Sequence, residues 1–239
     1  VGHRLAVRGE PLDDERVDDE DEAEERDAEL LRGAGKTVAL VFHGSEVRDP
    51  RTHVNISPVS PFSDPDEDLT SRLQANADNL LPHVAEFDGL KFVSTPDQLD
   101  FIPDATWLPV VVPTDHFPEP TPLLRREVPV VVHAPSNKSL KGTEHVEQAL
   151  QPLIDEGLIT YQRIENIPAA QVPAMLADSD IVIDQVMLGI YGVLSCEGMA
   201  LGRVVVGRAD HGTRSRVPAH IPIVDVLPDT LTQSIRDII

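Results

Sequence analysis

Residues 180–206 read D-I-V-I-D-Q-V-M-L-G-I-Y-G-V-L-S-C-E-G-M-A-L-G-R-V-V-V, and the fold follows from them. Residues 181–183 and 204–206 are short β-branched runs, as expected of strands buried on both faces of a parallel sheet. Between them, residues 195–201 mix small and apolar side chains, the composition of a helix packed closely on a sheet. A loop that leaves the carboxyl end of a strand and enters a helix N-terminus is where α/β sheets bind phosphorylated ligands. Gly189 and Gly192 let backbone approach such a ligand.

Outward from this stretch, strands and helices alternate. Strands are expected at 128–133, 158–164 and 223–226, and helices at 142–156, 168–177, 197–201 and from 229. That order predicts parallel βαβ units in a doubly wound sheet. Upstream, apolar runs predict strands at 37–42, 90–94 and 107–112. Helical spacing predicts a helix over 67–87, with Pro82 as a kink or break, and Thr95-Pro96-Asp97 opens a short one. Residues 52–66 are rich in Pro and Ser and read as loop. Five prolines between 113 and 129 mark a stiff linker. The chain therefore divides into 1–112, a linker at 113–127, and 128–239.

Composition narrows the class. Of 239 residues 41% are hydrophobic, enough for a core, and no apolar run approaches the ~20 residues that span a bilayer. No secretory signal is visible, and the lone Cys196 excludes an internal disulfide, which fits a cytoplasmic protein. A net charge of -21 argues against nucleic acid and anionic lipid as partners. With 4 Lys against 16 Arg, the chain has the composition of a protein adapted to high salt, or of one from a GC-rich genome. Val rather than Met at position 1 suggests a fragment or processed product. Residues 10–29 hold 13 acidic side chains in 20, which reads as a solvated segment, with Leu30 and Leu31 anchoring its end and Gly33 stopping the helix. The run Gly33-Ala34-Gly35-Lys36-Thr37 is not a P-loop: it lacks a glycine at Leu30, and a helix precedes it where a strand is needed.

Three groups of residues are placed for chemistry. Ser136, Asn137, Lys138, Lys141 and Gly142 follow the strand at 128–133, and two of the four lysines there suit a diphosphate at a helix N-terminus. The alternative is a solvated loop. Glu197, one turn into the helix behind Gly189, Tyr191, Gly192, Val193 and Leu194, suits the paired hydroxyls of a ribose, or else serves as a helix-capping acid. His43 and Arg48 follow the strand at 37–42, as catalytic or as structural groups. No Asp-X-Asp motif is positioned as a metal site.

Residues 128–206 resemble the donor-binding domain of a GT-B glycosyltransferase, of the large retaining family with the glycosyl transferases group 1 domain. Lys141-Gly142 matches the K-G pair that opens that domain's first helix, and Ala177-Asp178-Ser179-Asp180-Ile181-Val182-Ile183 its A-D-v-x-v strand entry. The run 197–206, E-G-M-A-L-G-R-V-V-V, matches its E-A-M-A-x-G-x-P-V-V block. His43-Gly44-Ser45-Glu46-Val47-Arg48 resembles the H-G-S-D-x-R of some acceptor domains. Ser94-Thr95-Pro96-Asp97 and Trp107-Leu108-Pro109 resemble the approach to the interdomain linker.

The resemblance implies two Rossmann-like domains, the N-terminal one incomplete, and metal-independent, hexosyltransferase-like transfer. The sugar would pass from a UDP- or GDP-linked co-substrate, with no cofactor, to a glycan, lipid-linked or small-molecule acceptor. It also implies Glu197 on the ribose, Lys138 and Lys141 on the diphosphate, and His43 and Arg48 facing the sugar or acceptor. Two signature positions differ: Gly189 stands where the family's first Glu falls, and Ser136 where it has an arginine. A non-catalytic nucleotide-binding remnant and a GT-B-fold UDP-sugar epimerase are the alternatives.

Overall fold

A computed structural model describes residues 30–63 and 67–239; the acidic block at 10–29 lies outside them. The chain forms two parallel sheets. The smaller is ordered β1 (Ala39–Phe42), β2 (Leu90–Val93), β3 (Thr106–Trp107), with helices α1 (Pro50–Ile56) and α2 (Asp68–Glu86) between β1 and β2. The larger has the order β5-β4-β6-β7-β8, from β4 (Val130–His133), β5 (Thr160–Arg163), β6 (Ile181–Ile183), β7 (Val204–Gly207) and β8 (Ile223–Asp225). Its helices are α3 (Lys138–Lys141), α4 (Thr143–Asp155), α5 (Val172–Ala177), α6 (Val193–Ala200), α7 (His211–Arg216) and α8 (Leu231–Ile238).

The β-branched runs make the larger sheet a two-sided core. Val131, Ile181, Ile183 and Val206 point to one face, where Val146, Leu150 and Leu153 of α4 meet Leu231 and Ile235 of α8. Val132, Val182, Val205 and Ile223 point to the other, against Leu176 and Ala177 of α5 and Leu194 of α6. Alternate residues of one strand thus serve both layers, and the central β6 is apolar throughout. At the amino end, the fully buried Asp180 accepts Val130 N at 2.9 Å and Leu124 N at 2.7 Å, tying the proline-rich segment to the sheet.

Several elements differ from the sequence reading. Residues 52–56, expected as loop, belong to α1: Asp49 accepts Thr52 N at 2.9 Å as N-cap, and Pro50 takes the first turn. Helix α2 passes through Pro82 to Glu86 without ending there. Of 107–112 only Trp107 pairs, because Pro109 has no N–H, and Val111 is 86% exposed. Leu30 and Leu31 are exposed, and the glycine that ends their turn is Gly35 (φ +72). Helix α7, capped by Asp210 on Thr213 N, was not expected at all. Among the described residues no helix is long and apolar enough to cross a membrane.

Candidate functional site

In the order β5-β4-β6-β7-β8 the chain moves one way from β4 to β5 and the other way from β4 to β6. The loops leaving β4 and β6 therefore part at a topological switch point, the crevice where open α/β sheets take ligands. Those loops carry the lysine group and the glycine group picked out from sequence.

They meet through a residue that sequence reading passed over. Asp184, the first residue after β6, is 1% exposed. It accepts Lys141 Nζ, Gly192 N and Ser195 Oγ, each at 2.7 Å. Gly192 is the N-cap of α6 and has no side chain, so the strand end supplies the capping carboxylate from outside the helix. Burial opposes the charge on Asp184, but the Lys141 ammonium and the two other donors outweigh it and hold its carboxyl below the ordinary range. The signal was available: a polar residue directly after a buried strand triplet. Its use depended on contacts 8, 11 and 43 positions away.

The other predicted groups spread around this pair. Gly142 (φ +71) joins α3 to α4, and a Cβ there would strike Val186 and Met187. Asn137 caps α3 on Leu140 N at 3.0 Å. Ser136 and Lys138 are exposed, and Lys138 pairs with Glu165 at 3.0 Å. Below this loop the buried His133 bridges Ile183 O and Thr143 Oγ1, both at 2.9 Å; burial holds its pKa down, so the ring is neutral.

Along the glycine loop, Gly189 (φ +76) faces the Asp210 carboxylate, which a Cβ would hit. Its carbonyl accepts Asp210 N and Thr213 Oγ1. Leu194 is buried, Val193 is half exposed, and Tyr191 and Cys196 are partly buried. Burial raises the Cys196 thiol, with the Asp184 and Glu197 charges adding to it, so this is not an activated nucleophile. The Glu197 side chain is partly buried and has no hydrogen bond or ion pair among the described residues; burial alone pushes its carboxyl above the ordinary range.

His43 and Arg48 belong to a different environment. Arg48 is 3% exposed, with Nε on Asp97 Oδ2 at 2.6 Å and Nη2 on Thr95 Oγ1 at 3.1 Å. Gln98, fully buried, bonds Ser94 N, Thr95 N and Gly44 O and so closes the same turn. His43 is exposed, its backbone N–H given to Glu46. Among the described residues no hydrogen bond or ion pair joins either residue to Lys138, Lys141 or Glu197.

Compared with known proteins, the chain matches no family model and no curated sequence.

Across the cleft, the segment 57–62 of the smaller sheet's side lies against the loop after β6. Phe62 packs with Leu188 and Ile190, the buried His53 reaches Leu188 O at 3.3 Å, and Arg208, just past β7, donates to both sides. Among the described residues no group of three or more His, Cys, Asp or Glu is placed to share a metal ion.

Proposed function

We propose that the switch-point crevice binds a nucleotide sugar and that the chain is a GT-B glycosyltransferase, the smaller sheet belonging to its acceptor side and the larger to its donor side. One observation carries this reading: a half-buried carboxylate with no partner, Glu197, stands on α6 behind the crevice where the β4 and β6 loops meet. A carboxylate left unpaired at a partly dry site is costly on its own and gains when ligand hydroxyls donate to it. Lys141, 17% exposed at its side chain, would serve a diphosphate there, and its attachment to Asp184 fixes the ammonium before a ligand arrives. In transfer, charge grows on the departing diphosphate, and Lys141 with Lys138 would stabilise it. The resemblance of residues 197–206 to the family's signature block supports the same assignment.

A second reading, a nucleotide-binding module without transfer activity, is favoured by two features. Arg48 is committed to Asp97, and Gly189 has no carboxylate to offer.

Isothermal titration with UDP-glucose and GDP-mannose is the test. The donor reading expects saturable binding of one of them, weakened at least ~10-fold by Glu197→Ala and by Lys141→Ala. Binding of neither would overturn it. Turnover of a bound donor would exclude the second reading.

A further inference from the structure

The seam between the two sheets holds a histidine that the crevice does not use. His53, on α1, is 3% exposed, with its ring edge-on to Phe62 at 5.3 Å between centroids. Nε2 lies 3.3 Å from Leu188 O, across the seam in the loop after β6, and Nδ1 lies 2.8 Å from Ser60 Oγ. A carbonyl can only accept, so Nε2 carries the proton and Nδ1 accepts from the Ser60 hydroxyl. That hydroxyl oxygen in turn accepts Phe62 N at 3.2 Å. One neutral ring thus joins α1, the segment 57–62 and the loop that carries Gly189 and Gly192.

The surroundings of this ring disfavour a second proton. Burial is the largest influence and holds the His53 pKa below the ordinary 6.5. Arg48, from the loop after β1, and Arg208, just past β7, add their repulsion. Leu188 O and Asp97 favour the proton, but Asp97 already takes Arg48 Nε at 2.6 Å. Asp100 and Asp210 line with His53 and Asp97 a cavity of about 180 Å³. Both are engaged: Asp100 is bound by Arg216, and Asp210 caps α7 through Thr213 N at 2.9 Å. A proton on Nδ1 would also turn the Ser60 hydroxyl from donor to acceptor, and its hydrogen would lose the ring nitrogen as partner. Acid therefore favours any arrangement in which the ring reaches water, and in each of those the bond to Leu188 is lost.

We propose that His53 is a pH-sensitive tie between the smaller and the larger sheet: neutral, it holds α1 to the loop after β6, and protonation weakens that hold. In the unfolded chain the ring titrates at its ordinary 6.5, above its value in the fold. The tie thus contributes fully above that pH, loses strength as pH falls below it, and levels off once the buried ring is charged too. His133 is lowered by burial as well, but it bonds Ile183 O and Thr143 Oγ1 inside the larger sheet, so its titration adds to acid sensitivity without acting on the seam. The tie holds whatever ligand the crevice takes.

Hydrogen exchange on the 239-residue chain at pH ~7.5 and ~5.5, corrected for intrinsic rates, tests this. In the wild type, protection of the Phe62 and Leu188 amides should fall several-fold in acid while the Val182 and Val205 amides of the core strands keep theirs. His53→Gln, a neutral side chain that can still donate and accept, should remove the acid effect at the seam. Seam and core amides losing protection together, or the same acid loss in His53→Gln, overturns the proposal. Ring-proton NMR reads the event in the wild type without a substitution. One histidine should titrate below pH 6.5 in step with the Phe62 amide, and an amide that changes with no histidine in step contradicts the tie.

Discussion

Two loops in this molecule begin alike and end differently. Both follow the carboxyl end of a parallel strand, carry glycine, and present an acidic side chain: residues 43–48 after β1, and 184–197 after β6. After β1 the charges are consumed. Arg48 is closed by Asp97 and Thr95, and Gln98 holds the backbone of the turn. After β6 an internal pair, Asp184 with Lys141, also forms, but it leaves the Glu197 carboxylate unpaired. Residue type and strand position do not separate a knot from a site. What separates them is whether each charge already has its partner within the fold.

The comparison breaks most visibly at Arg48. Arg48→Ala strands Asp97, itself 8% exposed, as a buried anion, and should cost about 3–5 kcal/mol. Chemical denaturation would measure that loss, with nucleotide affinity of the folded fraction unchanged. A stable Arg48→Ala protein that no longer binds donor would put Arg48 in the site after all.

Asp184 sharpens the other side. Asp184→Asn removes the charge that holds Lys141 and caps α6, at a cost of about 2–3 kcal/mol, less than for Arg48 because Lys141 retains some access to water. The folded-state carboxyl titrates below its ordinary value of 3.8, so its stabilising contribution is full above that value and is lost as pH falls further. Acid unfolding should accordingly begin at higher pH in the wild type than its difference from Asp184→Asn at pH 7 would suggest, and the two stabilities should converge only as pH falls below 3.8.

The smallest effect is the most diagnostic. Burial raises the Glu197 carboxyl, so its ionised form opposes folding once pH exceeds the raised value. Glu197→Gln should therefore stabilise the ligand-free chain slightly at neutral pH, by roughly 0.5 kcal/mol, and the gain should vanish in acid. A thermal melt across pH 4–8 reads it, about and above the ordinary value of 4.5. Loss of stability instead would mean that Glu197 has a structural partner.

Much of the fold was legible because it is local. The runs 181–183 and 204–206 are apolar on consecutive residues, which only a sheet covered on both faces accommodates, and the spacing of Leu69, Leu73, Leu80 and Val84 gave α2. Helix α1 was hidden inside a Pro/Ser-rich stretch although Asp49-Pro50 is an N-cap followed by a first-turn proline, and α7 carried an equivalent Asp210 cap. The glycine loop and Lys141 were readable from strand-to-helix order. Asp184 and Arg208 were not, since each acts through partners far along the chain: Lys141 lies 43 positions from Asp184, and Val59 lies 149 from Arg208. No local pattern marks a charge as paired or unpaired.

The claim that the unpaired group marks the site is tested most directly by one titration series. UDP-glucose and GDP-mannose are added to the wild type, to Glu197→Gln and to Arg48→Lys. The account predicts saturable binding of one donor, weakened at least ~10-fold by Glu197→Gln and left within twofold by Arg48→Lys. Equal affinities in wild type and Glu197→Gln, or binding of neither donor to the wild type, would contradict it.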